Sequence, residues 1–309
     1  MNDRSGGSRN NASGVRRVVD GVVLLNKPAG ITSNGALQQL KRLFKAQRAG
    51  HTGTLDPLAS GLLALCFGEA TKFAGELLDA HKSYRATIRL GESTTTGDAE
   101  GDILQTSPVF CEKNAIEAAL AGFRGKIAQT PPMYSALKHQ GQPLYSYARR
   151  GEVVERAPRQ VSIFELELRD LSLPDMIVEL VCSKGTYVRV LAEDIGASLG
   201  VGAHLRALVR TSIGPFALAQ GHTPEQIAAL ASPDDILLAV DTLVQGLPRV
   251  ELIESDEKRF LQGRTVATGQ PGGLRIRVYG PAQRFLGIGM TAQDGTVQPK
   301  RVVAAPASA

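Results

Sequence analysis

Residues Gly50 to Gly61 read GHTGTLDPLASG, and the apolar run LLALCF follows at once. Glycine at 50, 53 and 61 and proline at 57 break any helix or regular strand across this stretch. The chain must therefore turn here with a fixed, unusual backbone shape and then enter a strand made of LLALCF. A loop of that kind suits the presentation of one side chain. Its single acid is Asp56, between Leu55 and Pro57, with His51 five residues upstream. Taken alone, Asp56 reads equally as an Asp-Pro turn or a helix cap.

The rest of the chain divides by period. GVVLLNKPAG (21–30) reads as a short buried strand entering a Pro/Gly turn. Ser33 or Asn34 then caps a helix carrying Leu37, Leu40, Leu43 and Phe44. Glu69 to Asp79 reads as a helix, and KSYRATIRLG as a half-buried strand with Tyr84, Ala86, Ile88 and Leu90 on one face. GESTTTGDAEGD (91–102) reads as a polar loop, and a short helix covers Ala115 to Leu120. A loop from 130 leads into a helix from Pro143 to Arg150, since proline suits a helix start. In VSIFELEL the apolar phase shifts between Ile163 and Phe164, which predicts a bulge. MIVELVCS reads as a buried strand. TYVRVLAEDIGASLG reads as a helix with Val188, Leu191, Ile195 and Leu199 on one stripe and Arg189 off it, in the first turn.

From about Val250 the texture changes. TVAT, LRIRVY, FLGIGM and TVQPKRVV alternate with Gly-rich turns, as in a compact barrel of short strands, and LPRVEL marks the boundary. The expected organisation is a disordered tail over 1–18, a main domain over 19–247 and a small unit over 248–309. The small unit carries most of the charge imbalance. Nine Lys/Arg and five Asp/Glu fall between Arg249 and Ala309, so four of the five net positive charges lie there. Such a unit reads as a nucleic-acid-binding module or as a surface that happens to be basic.

Other classes are disfavoured. No apolar stretch approaches the ~20 residues that span a bilayer, and MNDRSGGSRNNASGVRR lacks the apolar core of a secretory signal. Cys66, Cys111 and Cys182 are scattered and odd in number, without a CxxC pair, so neither a zinc site nor a disulfide frame is expected. That pattern fits a reducing cytoplasm.

GHTGTLDPLASG beside LLALCFGEATK resembles the active-site motif of the TruB family of tRNA pseudouridine synthases. LNKPAGITSN is similar to that family's Lys-Pro motif, with Asn26 where Asp is more usual. KSYRATIRLG resembles its tyrosine motif, SKGTYVRVLAEDIG its arginine motif and GAHLRALVRTSIGPF the segment that follows. LQGR and RVY…FLGIG…DGTVQPKRVV resemble a PUA domain, a small RNA-binding barrel. The matches run from about residue 20 to 305.

The resemblance implies an α+β fold: a pseudouridine synthase catalytic domain with a mixed, largely antiparallel sheet, then a PUA-like barrel. It implies that Asp56 is catalytic and works without metal or cofactor. Arg189 would pair with Asp56, keeping it ionised and oriented. Tyr84 would lie against the target uracil and Leu208 would pack on the base. His51 would help fill the gap left when the nucleotide flips out. Lys27 joins the substrate-binding set, as a structural residue or one close to phosphate. The implied substrate is the T stem-loop of tRNA at uridine 55, with basic residues in 41–48, 149–159, 206–210 and the C-terminal unit on phosphates. The implied protein is a cytoplasmic monomer with no membrane and no obligatory protein partner.

Three rivals stand beside this reading. One is a tRNA chaperone using the same basic surface without chemistry. Another is a synthase working inside a guide-RNA particle, which the lack of a long Lys-rich tail disfavours. The third is a glycosidase, whose second carboxylate would come from Asp98, Glu100 or Asp102.

Overall fold

The computed structural model describes residues 15–304. In chain order it forms β1 (Gly21–Lys27), α1 (Ser33–Leu43), β2 (Ala49–His51), β3 (Ser60–Phe67), α2 (Gly75–Asp79), β4 (Lys82–Leu90), β5 (Glu92–Thr94) and β6 (Ile103–Thr106). Then come α3 (Lys113–Gly122), β7 (Gly125–Gln129), the two-residue strands β8 (Lys138–His139) and β9 (Gln142–Pro143), α4 (Leu144–Ala148), β10 (Arg159–Ser172) and β11 (Asp175–Cys182). α5 (Val188–Ser198), β12 (Ala203–Ile213), β13 (Phe216–Ala217) and α6 (Pro224–Ala228) complete the larger part.

The main sheet runs β1-β3-β12-β4-β11-β10-β7, with β2 on β3 and β13 on β12. The β3–β12 pair is parallel and every other ladder in this sheet is antiparallel. The mixed, largely antiparallel sheet that was expected is therefore present. LLALCF explains why its apolar run is unbroken. Leu63, Leu65 and Phe67 join the core under α1, α3 and α5, while Leu62, Ala64 and Cys66 point into a second core with Phe73, Phe216 and Leu243. A strand covered on both faces loses the alternation of a half-exposed one. Each such leucine contributes about 1.5–3 kcal/mol by leaving water.

After the main sheet the chain makes β14 (Arg249–Glu251), α7 (Glu254–Leu261), β15 (Val266–Ala267), β16 (Arg275–Tyr279), β17 (Phe285–Thr291) and β18 (Thr296–Val302). Their five-stranded sheet, β14-β16-β17-β18-β15, curls into a half-barrel of the expected PUA-like kind. Its own core gathers on Phe260, Ile276, Val278, Leu286 and Val297. Ile288 leaves that core and packs in the second core of the main sheet, so the two units share apolar contacts.

Several local expectations change. The cap of α1 is Thr32, whose Oγ1 accepts from Gly35 N at 2.9 Å; Ser33 is buried and bonded elsewhere. The expected 69–79 helix is two short pieces, a 3₁₀ turn at Gly68–Lys72 and α2, because Phe73 takes a non-helical conformation and Gly75 is a poor helix former. The 91–102 loop begins with β5, and its Asp98 is buried. α7 escaped notice because its charged run, ESDEKR, shows no apolar period before Phe260. The phase shift in VSIFELEL is a real bulge: Ile163 pairs with Cys182 and Glu165 with Val181, leaving Phe164 extra. Of the tail expected over 1–18, residues 1–14 lie outside the described residues, whereas Arg17 pairs with Asp234 and donates to Phe44 O at 3.0 Å.

Candidate active site

The loop between β2 and β3 is clamped from three sides. Ser33 Oγ accepts from Leu55 N at 2.7 Å and donates to Leu55 O at 2.9 Å. Gly30 N donates to Pro57 O at 2.8 Å, and Ala59 N donates to Asp56 O at 3.1 Å. At the loop's end Gly61 has φ +102°, and a Cβ there would lie 2.4 Å from Arg210 O. Only glycine permits that approach, which lets β3 run beside β12. Asp56 is thus held on a rigid backbone while its side chain stays 39% exposed.

Asp56 opens onto a cleft of about 350 Å³, whose walls include Tyr84, Ser135, Arg189, Leu208 and Arg210. That volume lies in the range of small-ligand sites. Arg189 Nη2 meets Asp56 Oδ2 at 3.0 Å and donates to Tyr134 O at 2.7 Å. Its Nη1 donates to Thr96 O at 3.1 Å, and its Nε lies 3.4 Å from Asp98 Oδ2, an ion-pair distance without hydrogen-bond alignment. The Arg189 side chain is 5% exposed, so it is no surface arginine at a helix start. A buried guanidinium flanked by two carboxylates and two carbonyls has one geometry open to it, and it fixes the carboxylate it touches.

Tyr84 sits on β4 between Leu180 of β11 and Arg210 of β12. Burial pushes its phenol above the ordinary tyrosine range, with Arg210 pulling the other way, so it stays protonated at neutral pH. Leu208 forms an apolar wall, nearly buried. His51 is half-buried on β2 and is not part of the cleft wall. Its Nδ1 has no hydrogen-bond partner among the described residues. Burial and the neighbouring Arg210 push its pKa down, which leaves a neutral imidazole.

Lys27 lies behind the cleft instead of facing it. It is fully buried, and Nζ donates to Pro28 O at 2.8 Å and Ile31 O at 2.7 Å. Those bonds stiffen the turn whose Gly30 holds Pro57. Burial and Arg210 push Lys27 down to about 8. Of the two expectations for Lys27, these bonds favour the structural one: an ammonium at the end of a buried strand reaches the nearest carbonyls first. Lys82 repeats the arrangement at the start of β4, donating to Leu77 O, Leu78 O and Ala80 O, and burial likewise takes it to about 8.

Two site residues were misread in the sequence. Asp98 was weighed as a hydrolase's second carboxylate; it is buried against Arg189, while Glu100 and Asp102 are exposed. The sequence groups Arg210 with phosphate-facing residues, yet it is 1% exposed. A signal existed for Arg210, because it shares strand parity with Leu208 on the covered face of β12. Asp98 had none, since a polar Gly-rich loop hides which of its acids turns inward. Arg206 is exposed and pairs with Asp175. Among the described residues no cluster of three His, Cys, Asp or Glu side chains could hold a metal. No helix among them is long and apolar enough to cross a membrane. The arrangement supplies one oriented carboxylate, a protonated phenol and an apolar wall, which suits nucleophilic or proton-abstracting chemistry on a flat ring.

Known proteins share this layout. Residues 41–188 match the family model described as TruB family pseudouridylate synthase (N terminal domain). Residues 189–245 match the tRNA pseudouridylate synthase B C-terminal domain, and residues 248–303 match Pseudouridine synthase II TruB, C-terminal. Proteins named tRNA pseudouridine synthase B from Burkholderia mallei and Cupriavidus metallidurans are each 52% identical over 93% of this chain, covering 98% and 95% of their own lengths. A solved Cbf5-Nop10-Gar1 complex contains a chain 25% identical, with TM-score 0.70, covering 91% of this chain and 84% of that one. An H/ACA RNP bound to a substrate RNA containing 2′-deoxyuridine has the same fold, at TM-score 0.71 and 23% identity over 93% of this chain and 86% of that one.

Proposed function

The chain belongs to the TruB family of pseudouridine synthases, and on that premise we propose that it converts uridine 55 in the T-arm loop of tRNA to pseudouridine, with Asp56 as the catalytic carboxylate. It is an isomerase acting on uridine in tRNA. The T-arm position and the part played by each side chain are our reading. The observation that carries it is the ion-paired chain Asp56–Arg189–Asp98, with one end open in the cleft and the other buried.

The reaction breaks the C1′–N1 bond and makes a C1′–C5 bond. The electron pair of the broken bond leaves on uracil, and Asp56 either attacks or removes a proton from the sugar. After uracil turns, C5 bonds to C1′, C5 gives up its hydrogen and N1 gains one. The carboxylate is restored. Arg189 keeps Asp56 aimed. Leu208 and Tyr84 hold the detached ring, which raises its effective concentration at C1′. His51, neutral and half-buried, is suited to fill the stack the nucleotide leaves, where aromatic–base stacking recovers ~1–3 kcal/mol.

Exposed Arg42, Lys45 and Arg48, beside α1, and Arg149, after α4, are suited to phosphates. Similarity at 52% to proteins named tRNA pseudouridine synthase B, over nearly the whole chain, supports tRNA as the substrate; we further propose a cytoplasmic monomer that needs no guide RNA or protein partner. We assign residues 19–247 to catalysis and 248–309 to RNA binding. Primer extension after carbodiimide treatment of an unmodified tRNA transcript tests the position. A single stop at the T-loop uridine is expected after incubation with the purified chain alone. A stop elsewhere, or none without added RNA or protein, would overturn the assignment.

A further inference from the structure

Arg210 lines the same cleft as the Asp56–Arg189 pair and is held in a different manner. Its side chain is buried, its Nε donates to Leu62 O at 2.7 Å and one Nη donates to Gly53 O at 3.3 Å. Nη1 lies 3.8 Å from where a Cβ on Gly53 would stand, and the guanidinium is within hydrogen-bonding reach of the Tyr84 phenol. Among the described residues no carboxylate comes within ion-pair distance of this guanidinium. Its charge bears on Lys27, His51, Lys82, Tyr84 and Cys182. None of them offers a negative charge at neutral pH. The two lysines are themselves buried cations bonded only to carbonyls. A buried charge without a counter-ion is costly, and this one lines the cleft.

The reaction supplies the missing charge. Whichever way Asp56 acts, the pair of the C1′–N1 bond departs on uracil, whose negative charge spreads over N1, O2 and O4. Fixed positive charge in a water-poor cleft stabilises charge that develops there more than it stabilises a neutral ground state. Resting on the isomerase reading above, we propose that Arg210 is the counter-ion of the detached uracil anion, with a guanidinium N–H donating to a ring oxygen. It moves no proton, because a guanidinium keeps its charge at every working pH. When the C1′–C5 bond forms, the ring becomes neutral again and the product is released. The device also explains the division of labour between the two arginines. Arg189 is spent on a carboxylate of the protein, and Arg210 is kept for an anion of the substrate.

The test begins with wild-type enzyme on a [5-³H]uridine tRNA transcript. Absence of tritium release there sinks the isomerase reading and leaves Arg210 no anion to meet. With release established, Arg210→Met and Arg210→Lys are compared under single turnover at saturating tRNA. The expected result is a loss of about 100-fold or more for Arg210→Met, with tRNA Kd within threefold and at least tenfold recovered by Arg210→Lys. A full rate at saturating tRNA, or a loss confined to Kd, would make Arg210 a structural or phosphate contact and overturn the proposal. A measurement on the wild type decides the matter if the variants fail to fold. Free 5-nitrouracil, ionised at neutral pH, should inhibit at least tenfold more strongly than free uracil. Equal inhibition by the two contradicts the proposal.

Discussion

The cleft and the C-terminal half-barrel use charge in opposite ways. The half-barrel has nine basic residues, and four are answered by its own carboxylates. Arg249 pairs with Glu251, Lys258 with Glu254, Arg259 with Asp256 and Arg284 with Glu257. Arg275 reaches across to Glu76 of the main domain. Apart from Arg284, whose partner Glu257 is buried, these pairs are at least partly solvent-exposed, and each such pair is worth ~0–1 kcal/mol. The basic residues in and behind the cleft are mostly buried: Arg189 between two carboxylates, Arg210 on carbonyls and the Tyr84 phenol, Lys82 and, behind the cleft, Lys27 on carbonyls alone, with Arg159 half-buried in the wall. Counting charge along the chain points to the half-barrel. Burial points to the cleft, because a charge removed from water acts through a lower effective dielectric. Of the excess in the last 61 residues, Arg264, Lys300 and Arg301 remain exposed without a carboxylate partner among the described residues.

The largest effect should come from breaking the buried side of this contrast. Arg189→Met leaves Asp56 and Asp98 facing each other's environment without a cation. Removing one member of a buried ion pair costs about 3–5 kcal/mol. Urea unfolding should show a loss of that order together with loss of turnover. A stable variant with wild-type unfolding would mean the network is dispensable to the fold. Gly61→Ala comes next. Its Cβ would sit 2.4 Å from Arg210 O at φ +102°, so the β3–β12 junction must shift. Stability should fall by about 2 kcal/mol or more through backbone strain, and single-turnover rate should fall further than tRNA affinity does.

The middle of the range sharpens the comparison by pH. Burial holds Lys27 and Lys82 at about 8, whereas an unfolded lysine titrates at its ordinary value. Below pH 8 the native state bears the cost of two buried charges. Between pH 8 and about 9.5 it sheds protons that the unfolded chain keeps, so these two groups make stability rise with pH. Lys27→Met with Lys82→Met should flatten that slope in denaturant titrations at pH 7.5, 8.5 and 9.5. An unchanged slope would mean both ammonium groups stay charged. The exposed side gives the smallest effect. Removing Arg264, Lys300 and Arg301 together should lower the slope of log K against log salt by about two to three, with single-turnover rate unchanged at saturating tRNA.

The same physics decides what could be read without coordinates. The sheet was legible because alternation in KSYRATIRL and the slip at Phe164 are consequences of pairing and burial. LLALCF was legible as a strand because both its faces are covered. The placement of Arg189 in a first helical turn was legible too. Its burial was not, since that depends on Thr96 and Tyr134 carbonyls brought from loops far away in sequence. Whether Lys27 is structural or faces phosphate is illegible for the same reason, and α7 is hidden by its own charges. Residues that depend on one ladder or one turn can be inferred from spacing. Residues fixed by three loops at once cannot.

Tritium release from a [5-³H]uridine tRNA transcript, with wild type and Asp56→Asn in parallel, tests the central claim most directly. The substitution keeps the shape of the side chain and removes the charge that Arg189 holds. The account predicts release by wild type, a fall of at least 1000-fold in Asp56→Asn, the order expected when a covalent or proton-transfer catalyst is lost, and tRNA affinity within a few-fold of wild type. Release by Asp56→Asn at near wild-type rate would contradict it and would move the chemistry away from the loop that presents this carboxylate.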